Sequence, residues 1–494
     1  MRRHRNLVVS AVVVAIACVS TPAWALPAKA GSGFTAGDFA IGFRSLPGGI
    51  RLESLYDMRD QQEWCASNPP PLFRLTLRQV GSHKEARLDA DRGWRRTSLT
   101  RVRDGFKLSW TGAEETALRG VAVTVVARAD EMHSAWHWRL VVQDRNAEWG
   151  VTRVIFPQVA LRGPEDGGAV FFPRGPGEVQ TKAWQRAFVY HGEYPGGWCS
   201  MQFMAAYREA PEPAGLYLAL QDPWGSGENL GVESEPTSGR LRLWFEEPAP
   251  NLGVAGNGFR PSGEAVLELF RGDWFDAAQI YKAWARPHAR WWPRLGREGR
   301  ADTPRWMREL NAWVMTGGAP TECVDRVKRF QQFLGLPVGF HWYNWHQIPF
   351  DNDYPHYFPA KPGFAEGVRE LKSAQVYPMP YINGRLWDTH DRGTNDFEFT
   401  RLALPAATKQ DDGQPYLERY GSRETNGERV ALAVMCPATP LWQDTVRGIV
   451  LRLLHDVGTS GVYIDQVAAA PPKLCMDPRH GHPLGGGSWW NQGY

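Results

Sequence analysis

The chain has few cysteines for its length, six in 494 residues, and they are scattered. They show neither a CxxC pair nor the Cys/His spacing of a zinc finger, so neither a disulfide scaffold nor a zinc framework is expected. The chain also has no large excess of charge of one sign, since it contains 56 Lys and Arg and 53 Asp and Glu. This balance offers no basic surface to a nucleic acid. No glycine-rich loop opens a helix, which argues against dinucleotide and phosphate sites.

A long apolar run occurs only at the N-terminus, where LVVSAVVVAIACV follows the basic MRRHRN. Its 13 residues are too few to span a bilayer comfortably. Ala23 and Ala25 supply the small residues of a cleavage site before Leu26. Residues 1–25 are therefore predicted to be a signal peptide, and the protein to be exported, secreted or periplasmic, with no membrane span.

Aromatic residues, by contrast, are abundant: 23 Trp, 22 Phe and 15 Tyr. An indole is a flat apolar wall with one N–H donor, which suits the face of a sugar ring and equally suits a protein core. Most of these rings are expected to be structural, because Trp is highly buried on average. The composition therefore permits a carbohydrate site without establishing one.

The hydrophobic pattern predicts an α/β plus β chain. Residues 26–272 hold many short β-like runs, such as VAVTVVARA and RLRLWFEE, separated by Gly, Pro and Asp, which predict a large antiparallel β-sandwich. Residues 273–304 are predicted to be a helix, capped by Asp273, and a polar linker. Over residues 305–494, apolar strands alternate with amphipathic helices. That alternation predicts a parallel sheet covered by helices, either a (β/α)8 barrel or a doubly wound sheet.

Polar and aromatic residues follow each predicted strand of the C-terminal half, where parallel α/β folds bind their ligands. Indoles, amides, an arginine, histidines and carboxylates together suit a polyhydroxylated ligand. A carbohydrate is the expected partner, and no cofactor is expected. The candidate substrate-binding residues after the second and third strands are His341, Trp342, Asn344, Trp345, His346, Asp351, Asn383, Arg385, Trp387 and Asp388.

The fourth predicted strand, VYI, ends on Asp465. Hydrolysis of a glycosidic bond needs two carboxyl groups, one acting as acid and one as nucleophile or base. Asp465 is the candidate nucleophile, because a strand end would hold it rigidly at the mouth of the sheet. The alternative is that Asp465 caps the following turn or pairs with an arginine, as an Asp after a strand commonly does.

The segments YIDQVAAAPPKLCMDPRHGHPLGGGSWWNQGY, YINGRLWD and GDWFDAAQIYKAW resemble the exported bacterial family known by a domain of unknown function, DUF6259. That family resembles glycoside hydrolases with a β-sandwich in front of a catalytic (β/α)8 barrel. It is similar to endo-α-N-acetylgalactosaminidases and, more distantly, to α-galactosidases. The resemblance runs from about residue 180 to the last residue. It implies that Asp465 is the nucleophile of a retaining glycosidase and that Asn383 and Trp387 bind substrate.

The resemblance also implies an acid/base carboxylate on the fifth or sixth strand of the barrel. Residues 305–494 leave room for four strands, so the barrel is expected to be truncated after its fourth strand and the acid/base group to lie outside the chain. The expected function is that of an exported glycoside hydrolase, incomplete in this chain, acting on O-glycosidic bonds of an oligosaccharide, polysaccharide or glycoconjugate.

A non-catalytic carbohydrate-binding protein is the first alternative function. Such a protein would keep Trp342, Trp345 and Trp387 as platforms for sugar rings. It would need no acid/base carboxylate, so the chain as written satisfies its requirements.

A metal-dependent hydrolase is the second alternative. Asp477, His480 and His482 form a D-x-x-H-x-H pattern of zinc-ligand types in a Gly- and Pro-rich loop. His480 and His482 are otherwise predicted to contact the sugar, and no metal site is expected. Asp351 and Asp353 supply too few oxygens for calcium, which prefers six to eight.

Overall fold

A computed structural model describes residues 32–494 of the protein. The predicted signal peptide, residues 1–25, lies outside the described residues, and export stays a prediction. Among the helices of residues 32–494, none combines the length and the apolar character that crossing a bilayer requires.

Nineteen strands make up the N-terminal part of the described chain. They are β1 (Ser32–Ala36), β2 (Phe39–Leu46), β3 (Gly49–Asp57), β4 (Gln62–Glu63), β5 (Arg74–Gln79), β6 (Glu85–Asp89), β7 (Trp94–Val102), β8 (Gly105–Ala113), β9 (Ala122–Asp130), β10 (Ala135–Gln143), β11 (Trp149–Arg162), β12 (Ala169–Phe172), β13 (Glu178–Thr181), β14 (Phe188–Tyr194), β15 (Phe203–Arg208), β16 (Ala214–Gln221), β17 (Glu228–Glu235), β18 (Arg240–Pro248) and β19 (Glu264–Arg271). Strand β9 shows why these segments are strands: Val123, Val125 and Ala127 are buried while the residues between them face outward, the period of two that a sheet face requires.

These strands form three antiparallel sheets. Their orders are β13-β12-β15-β16-β19-β10-β9-β8-β7, β14-β17-β18-β11-β5-β6 and β1-β2-β3-β4. The two larger sheets share one hydrophobic core, in which Trp138 on β10 and Phe156 on β11 meet edge to face with ring centroids 6.3 Å apart. Trp110 on β8 packs against Phe73 in the same core and donates its N–H to the carbonyl of Ala90 at 2.8 Å. The prediction of a β-rich, antiparallel N-terminal part is confirmed.

Helix α1 (Trp274–His288) follows the antiparallel strands. Asp273 caps it as predicted, because its carboxylate accepts a hydrogen bond from the N–H of Phe275 at 2.8 Å. The ring of Tyr281 on this helix stacks on Phe203 of the nine-stranded sheet, with centroids 5.0 Å apart. The helix is therefore packed onto the antiparallel part. A hairpin and a short helix follow: β20 (Leu295–Gly296), β21 (Gly299–Arg300) and α2 (Arg305–Arg308).

Strands and helices alternate in the C-terminal part. They are β22 (Ala312–Gly317), α3 (Pro320–Leu334), β23 (Val338–Tyr343), α4 (Phe364–Ser373), β24 (Val376–Asn383), β25 (Leu386–Asp388), β26 (Leu417–Glu418), β27 (Leu432–Val434), α5 (Pro440–Leu451), β28 (Tyr463–Asp465) and α6 (Trp489–Gly493). Strands β22, β23, β24 and β28 form a parallel sheet in that order, as the alternation predicts. Strands β25, β27 and β26 form a small antiparallel sheet. Helix α5 continues into a wide helical turn, residues 452–457.

The parallel sheet has four strands within residues 32–494 and is not closed into a barrel there. Its first strand exposes two large apolar side chains, Trp313 at 41% and Met315 at 70%. Ile464 on the last strand is 37% exposed. The predicted barrel and its truncation after the fourth strand therefore stay predictions.

Candidate functional site

Asp465 is the last residue of β28, at the carboxyl edge of the parallel sheet. It is in register with Asn383, the last residue of β24, and its carbonyl accepts a hydrogen bond from the N–H of Gly384 at 3.1 Å. Its carboxylate oxygen Oδ2 accepts a hydrogen bond from the hydroxyl of Tyr381 at 3.1 Å. Among the described residues, the side-chain partner of Asp465 is this hydroxyl rather than an arginine or an amide of the next turn. The side chain is half-buried, so the carboxylate is held in place and still reachable from solvent.

A second carboxylate, Asp351, lies within electrostatic reach of Asp465. Burial raises the pKa of Asp351, and the negative charge of Asp465 raises it further. Its Oδ1 accepts a hydrogen bond from the hydroxyl of Tyr354 at 3.3 Å. Two carboxyl groups that interact electrostatically, one of them with a raised pKa, are compatible with acid/base chemistry.

The backbone is strained next to both carboxylates. Asp351 has a φ of 54°, and Gln466, directly after Asp465, has a φ of 65°. The left-handed region costs an L-residue about 1–2 kcal/mol, so the surrounding contacts must enforce it. Asn344, at the corner after β23, has a φ of 51° and an exposed side chain, and its carbonyl accepts a hydrogen bond from Nζ of Lys361 at 2.6 Å. Such strain is concentrated at functional sites in proteins generally.

Aromatic rings line the sheet below this pair of carboxylates. Tyr343 and Tyr381 stack with centroids 4.8 Å apart, and Phe350 lies 5.2 Å from Tyr381. His341 stacks on Tyr463 at 4.9 Å, and burial lowers the pKa of this histidine. Phe350 is 37% exposed, while Tyr343 and Tyr463 are half-buried. Part of this aromatic surface is therefore accessible to the apolar face of a ligand.

Three tryptophans predicted to be sugar platforms are core residues instead. Trp342, Trp345 and Trp387 are each at most 2% exposed. The indole N–H of Trp345 donates to the carbonyl of Tyr381 at 2.8 Å, and that of Trp387 to the carboxylate of Asp391 at 2.9 Å. Their faces and their polar ends are used inside the protein, so the platform prediction is wrong for all three.

His346 and Asp388 are also inside rather than at the surface. His346 is fully buried, its Nδ1 donates to the carbonyl of Ile348 at 2.7 Å, and burial lowers its pKa to about 4. The carboxylate of Asp388 accepts hydrogen bonds from the N–H groups of Asp353 at 2.8 Å and His390 at 3.0 Å. Burial raises the pKa of Asp388 to about 7. These two side chains hold the loops after β23 and β24, and the prediction that they contact substrate is wrong.

Asn383 and Arg385 are buried at the same edge of the sheet as Asp465. Oδ1 of Asn383 accepts hydrogen bonds from the N–H groups of Arg385 and of the residue after it, both at 2.9 Å. Nδ2 of Asn383 is buried and has no hydrogen-bond partner among the described residues. The guanidinium of Arg385 pairs with Glu418 at 3.2 Å and donates to the carbonyl of Pro471 at 3.1 Å. Arg385 therefore holds the loop that follows Asp465.

A cavity of about 450 Å³ lies beside that loop, where Val467 and Ala468 form part of its wall. Trp224, Trp291 and Trp490 supply much of the rest. Trp224 and Trp291 are 38% and 42% exposed, so here indole faces are accessible. This is an aromatic-walled space beside the loop that follows Asp465, assembled from segments far apart in sequence.

His480 and His482 contact cysteines rather than the carboxylate pair. Nδ1 of His480 lies 3.4 Å from Sγ of Cys475, and Nε2 of His482 lies 3.5 Å from Sγ of Cys436. The carboxylate of Asp477 pairs with Arg479 at 2.6 Å. The predicted trio of Asp477 and the two histidines is therefore not the metal-ligand group that the structure assembles. The contact of the histidines with sugar stays a prediction.

Sequence reasoning did not identify the tyrosines of this site. Tyr381 lies two residues before Asn383, and Tyr463 two residues before Asp465. Residues two apart on a strand share a face, so the side chains at these positions had to lie below the strand ends. That periodicity was the signal available for finding them.

The C-terminal half of the protein matches a known family. Residues 259–494 match the family model described as a domain of unknown function, DUF6259. Over these residues the chain is similar to that family. The resemblance predicted from the sequence is confirmed, although this match begins at residue 259 rather than at about residue 180.

Two longer proteins are similar to most of this chain. A Bacteroides thetaiotaomicron protein named "Putative glycoside hydrolase" is 31% identical over 360 residues, which cover 72% of this chain and 50% of that protein. A Monosiga brevicollis protein named "Putative glycoside hydrolase 22789" is 30% identical over 419 residues, which cover 78% of this chain and 34% of that protein. The chain thus spans half of the first relative and about a third of the second.

The fold is also similar to that of a solved enzyme. The α-N-acetylgalactosaminidase NagBb from Bifidobacterium bifidum, in its GalNAc complex, superposes with a TM-score of 0.70 at 14% sequence identity. The superposition covers 92% of this chain and 72% of that one. At this identity the similarity shows a shared fold and leaves function to be argued from the site.

Proposed function

We propose that this protein is an exported, retaining glycoside hydrolase-like protein that acts on O-glycosidic bonds of an oligosaccharide, polysaccharide or glycoconjugate, with Asp465 as nucleophile. The position of Asp465 carries the proposal: it ends a strand of a parallel sheet, accepts a hydrogen bond from Tyr381 and has a second carboxylate, Asp351, in electrostatic reach. The names of the two relatives support the class of reaction.

The hydrogen bond from Tyr381 fixes Oδ2 of Asp465, which leaves Oδ1 for attack at the anomeric carbon. In a retaining glycosidase that attack forms a covalent glycosyl-enzyme intermediate, which water then hydrolyses. Asp351 and Asn383 are the proposed contacts to sugar hydroxyls. The rings of Tyr343, Phe350 and Tyr463 offer an apolar surface to the sugar face.

The acid/base carboxylate is the second part of the site. The family resemblance assigns it to a later strand of a complete barrel, outside residues 32–494. The exposure of Trp313, Met315 and Ile464 supports this assignment, because further strands would cover these side chains. Asp351 is the alternative within the chain, since burial already raises its pKa.

The proposal is tested by assaying the whole gene product for turnover of activated aryl α-glycosides, including α-galactosides and α-N-acetylgalactosaminides. Asp465→Asn should lower turnover by more than about a thousandfold while sugar binding persists, because only the nucleophile is lost. Asp456→Asn, at an exposed position of the helical turn after α5, is the matched control and should leave turnover unchanged. With Asp465→Gly, added azide should restore turnover as glycosyl azide. Undiminished turnover in Asp465→Asn would remove Asp465 from the mechanism.

A carbohydrate-binding protein is the second candidate function. The accessible rings of Phe350 and of the cavity that includes Trp224 and Trp291 favour it, because they offer sugar platforms without an acid/base group. Calorimetric titration with oligosaccharides separates the two functions. Binding without turnover of any glycoside by the whole gene product would support the binding protein.

A further inference from the structure

Four side chains from two distant segments place sulfur and nitrogen atoms around one point. They are Cys436, Cys475, His480 and His482, whose ligand atoms all lie within 4.8 Å of one another. The two measured sulfur–nitrogen distances are 3.4 Å and 3.5 Å. In a tetrahedral zinc site, with Zn–S of about 2.3 Å and Zn–N of about 2.0–2.1 Å, sulfur and nitrogen ligands lie about 3.5 Å apart. These two sulfur–nitrogen distances match the spacing of ligands in a zinc site.

Both histidines are held in the tautomer that binds a metal. Nε2 of His480 lies 2.9 Å from the carbonyl oxygen of Pro405, and Nδ1 of His482 lies 2.8 Å from that of Pro483. A carbonyl oxygen only accepts, so each of these nitrogens carries the hydrogen of the neutral imidazole. The other nitrogen of each ring then presents its lone pair to the sulfurs. Zinc-bound histidines are oriented by second hydrogen bonds of this kind.

The two thiols have the surroundings of metal ligands as well. Cys436 and Cys475 are fully buried. Sγ of Cys475 accepts a hydrogen bond from the N–H of Lys409 at 3.5 Å, a contact that stabilises a thiolate. We propose that Cys436, Cys475, His480 and His482 bind a structural zinc ion. Four protein ligands leave no open position, so the ion would be structural rather than catalytic.

The proposed zinc would join three parts of the protein. Cys436 follows β27, whereas the other three ligands lie in the loop before α6. That loop also pairs with the loop between β18 and β19, where the N–H of Leu252 donates to the carbonyl of Leu484 at 3.1 Å. The ring of His482 stacks on Trp489 of α6, with centroids 3.7 Å apart. The site would thus fix the small antiparallel sheet, the C-terminal loop and helix α6 to the N-terminal sheets. This inference does not rest on the proposed glycosidase activity.

A disulfide between Cys436 and Cys475 is the competing use of these thiols, since exported proteins often contain disulfides. A disulfide would use neither imidazole. Yet the hydrogen bonds of His480 and His482 direct one lone pair of each ring to the sulfurs. The complete set of four ligands therefore favours zinc.

Elemental analysis of the purified chain, prepared without a metal-binding tag, tests the inference. One zinc per chain is expected. Cys436→Ser and His480→Ala should each lose it, whereas Cys323→Ser, at a buried cysteine on α3, should retain it. Replacement of zinc by Co²⁺ should give the visible absorption of a tetrahedral site with thiolate ligands. If the ligand variants do not fold, the unaltered chain still decides the question: a chelator should lower its melting temperature, and added Zn²⁺ should restore it.

Two results would overturn the proposal. One is a folded chain that holds no zinc after incubation with Zn²⁺ under reducing conditions. The other is an intact mass lacking two thiol hydrogens, with peptide mapping that joins Cys436 to Cys475.

Discussion

Tyr381 donates its hydroxyl hydrogen to Oδ2 of Asp465 across 3.1 Å, from one parallel strand to its neighbour. Burial raises the pKa of Tyr381, and the nearby hydroxyl of Tyr354 and charge of Asp465 contribute. The hydroxyl therefore stays protonated at physiological pH. It fixes one oxygen of the carboxylate and leaves the other free for a reaction.

Tyr381→Phe removes this hydrogen bond and the contact with the hydroxyl of Tyr354 but keeps the ring. A hydrogen bond to a charged group is worth about 1.5–3 kcal/mol, so kcat/KM for an aryl glycoside should fall by about tenfold to a hundredfold. Steady-state rates measure the effect, and melting temperatures check that the variant is folded. Tyr377→Phe, on the same strand with its ring stacked on Trp306, is the matched control and should retain its rate. Equal rates for Tyr381→Phe and the unaltered protein would exclude a catalytic effect of this contact.

Accessible and buried rings should behave in opposite ways. Phe350→Ala removes a ring that is 37% exposed, so oligosaccharide affinity should fall while the melting temperature changes little. Trp345→Phe removes a fully buried N–H donor and its hydrogen bond to the carbonyl of Tyr381. Its free energy of unfolding should fall by about 1–3 kcal/mol. Calorimetric titration and denaturant unfolding measure the two effects. If oligosaccharide affinity fell in Trp345→Phe and not in Phe350→Ala, the indole of Trp345 would be a sugar platform despite its burial.

Much of the fold follows from local patterns in the sequence. The alternation of Val123, Val125 and Ala127 with outward residues requires a strand with one buried face. The carboxylate of Asp273 has the right type and position to cap α1. Apolar strands separated by amphipathic helices require a parallel sheet, whose carboxyl edge is where Asp465 lies. Each of these features depends on residues close together in the chain.

The features that sequence reasoning missed depend on contacts between distant segments. An indole suits a core and a sugar platform equally, so only the packing of Trp345 against the β24 carbonyl decides its role. Cys436 and His482 lie in segments far apart in the sequence, and no zinc-finger pattern predicts their contact. His346 likewise stands among polar residues after a strand, but the loop folds it inward.

Stability should depend on pH through Glu247, which is buried on β18. Burial, with the charge of Asp222, raises the pKa of Glu247 from 4.5 to about 8. Between these values the native state binds a proton that the unfolded state has released, so the free energy of unfolding falls as pH rises through this window. Glu247→Gln keeps the shape of the side chain and cannot ionise. Between pH 5 and pH 9 its free energy of unfolding, relative to that of the unaltered protein, should therefore rise by at least about 1.4 kcal/mol, the free energy of one pKa unit. Urea unfolding at several pH values measures this.

Glu165→Gln, at an exposed glutamate, is the control. Its free energy of unfolding should differ from that of the unaltered protein by the same small amount at every pH. A difference for Glu247→Gln that is constant across pH would mean that this carboxyl is already ionised in the native protein at pH 5.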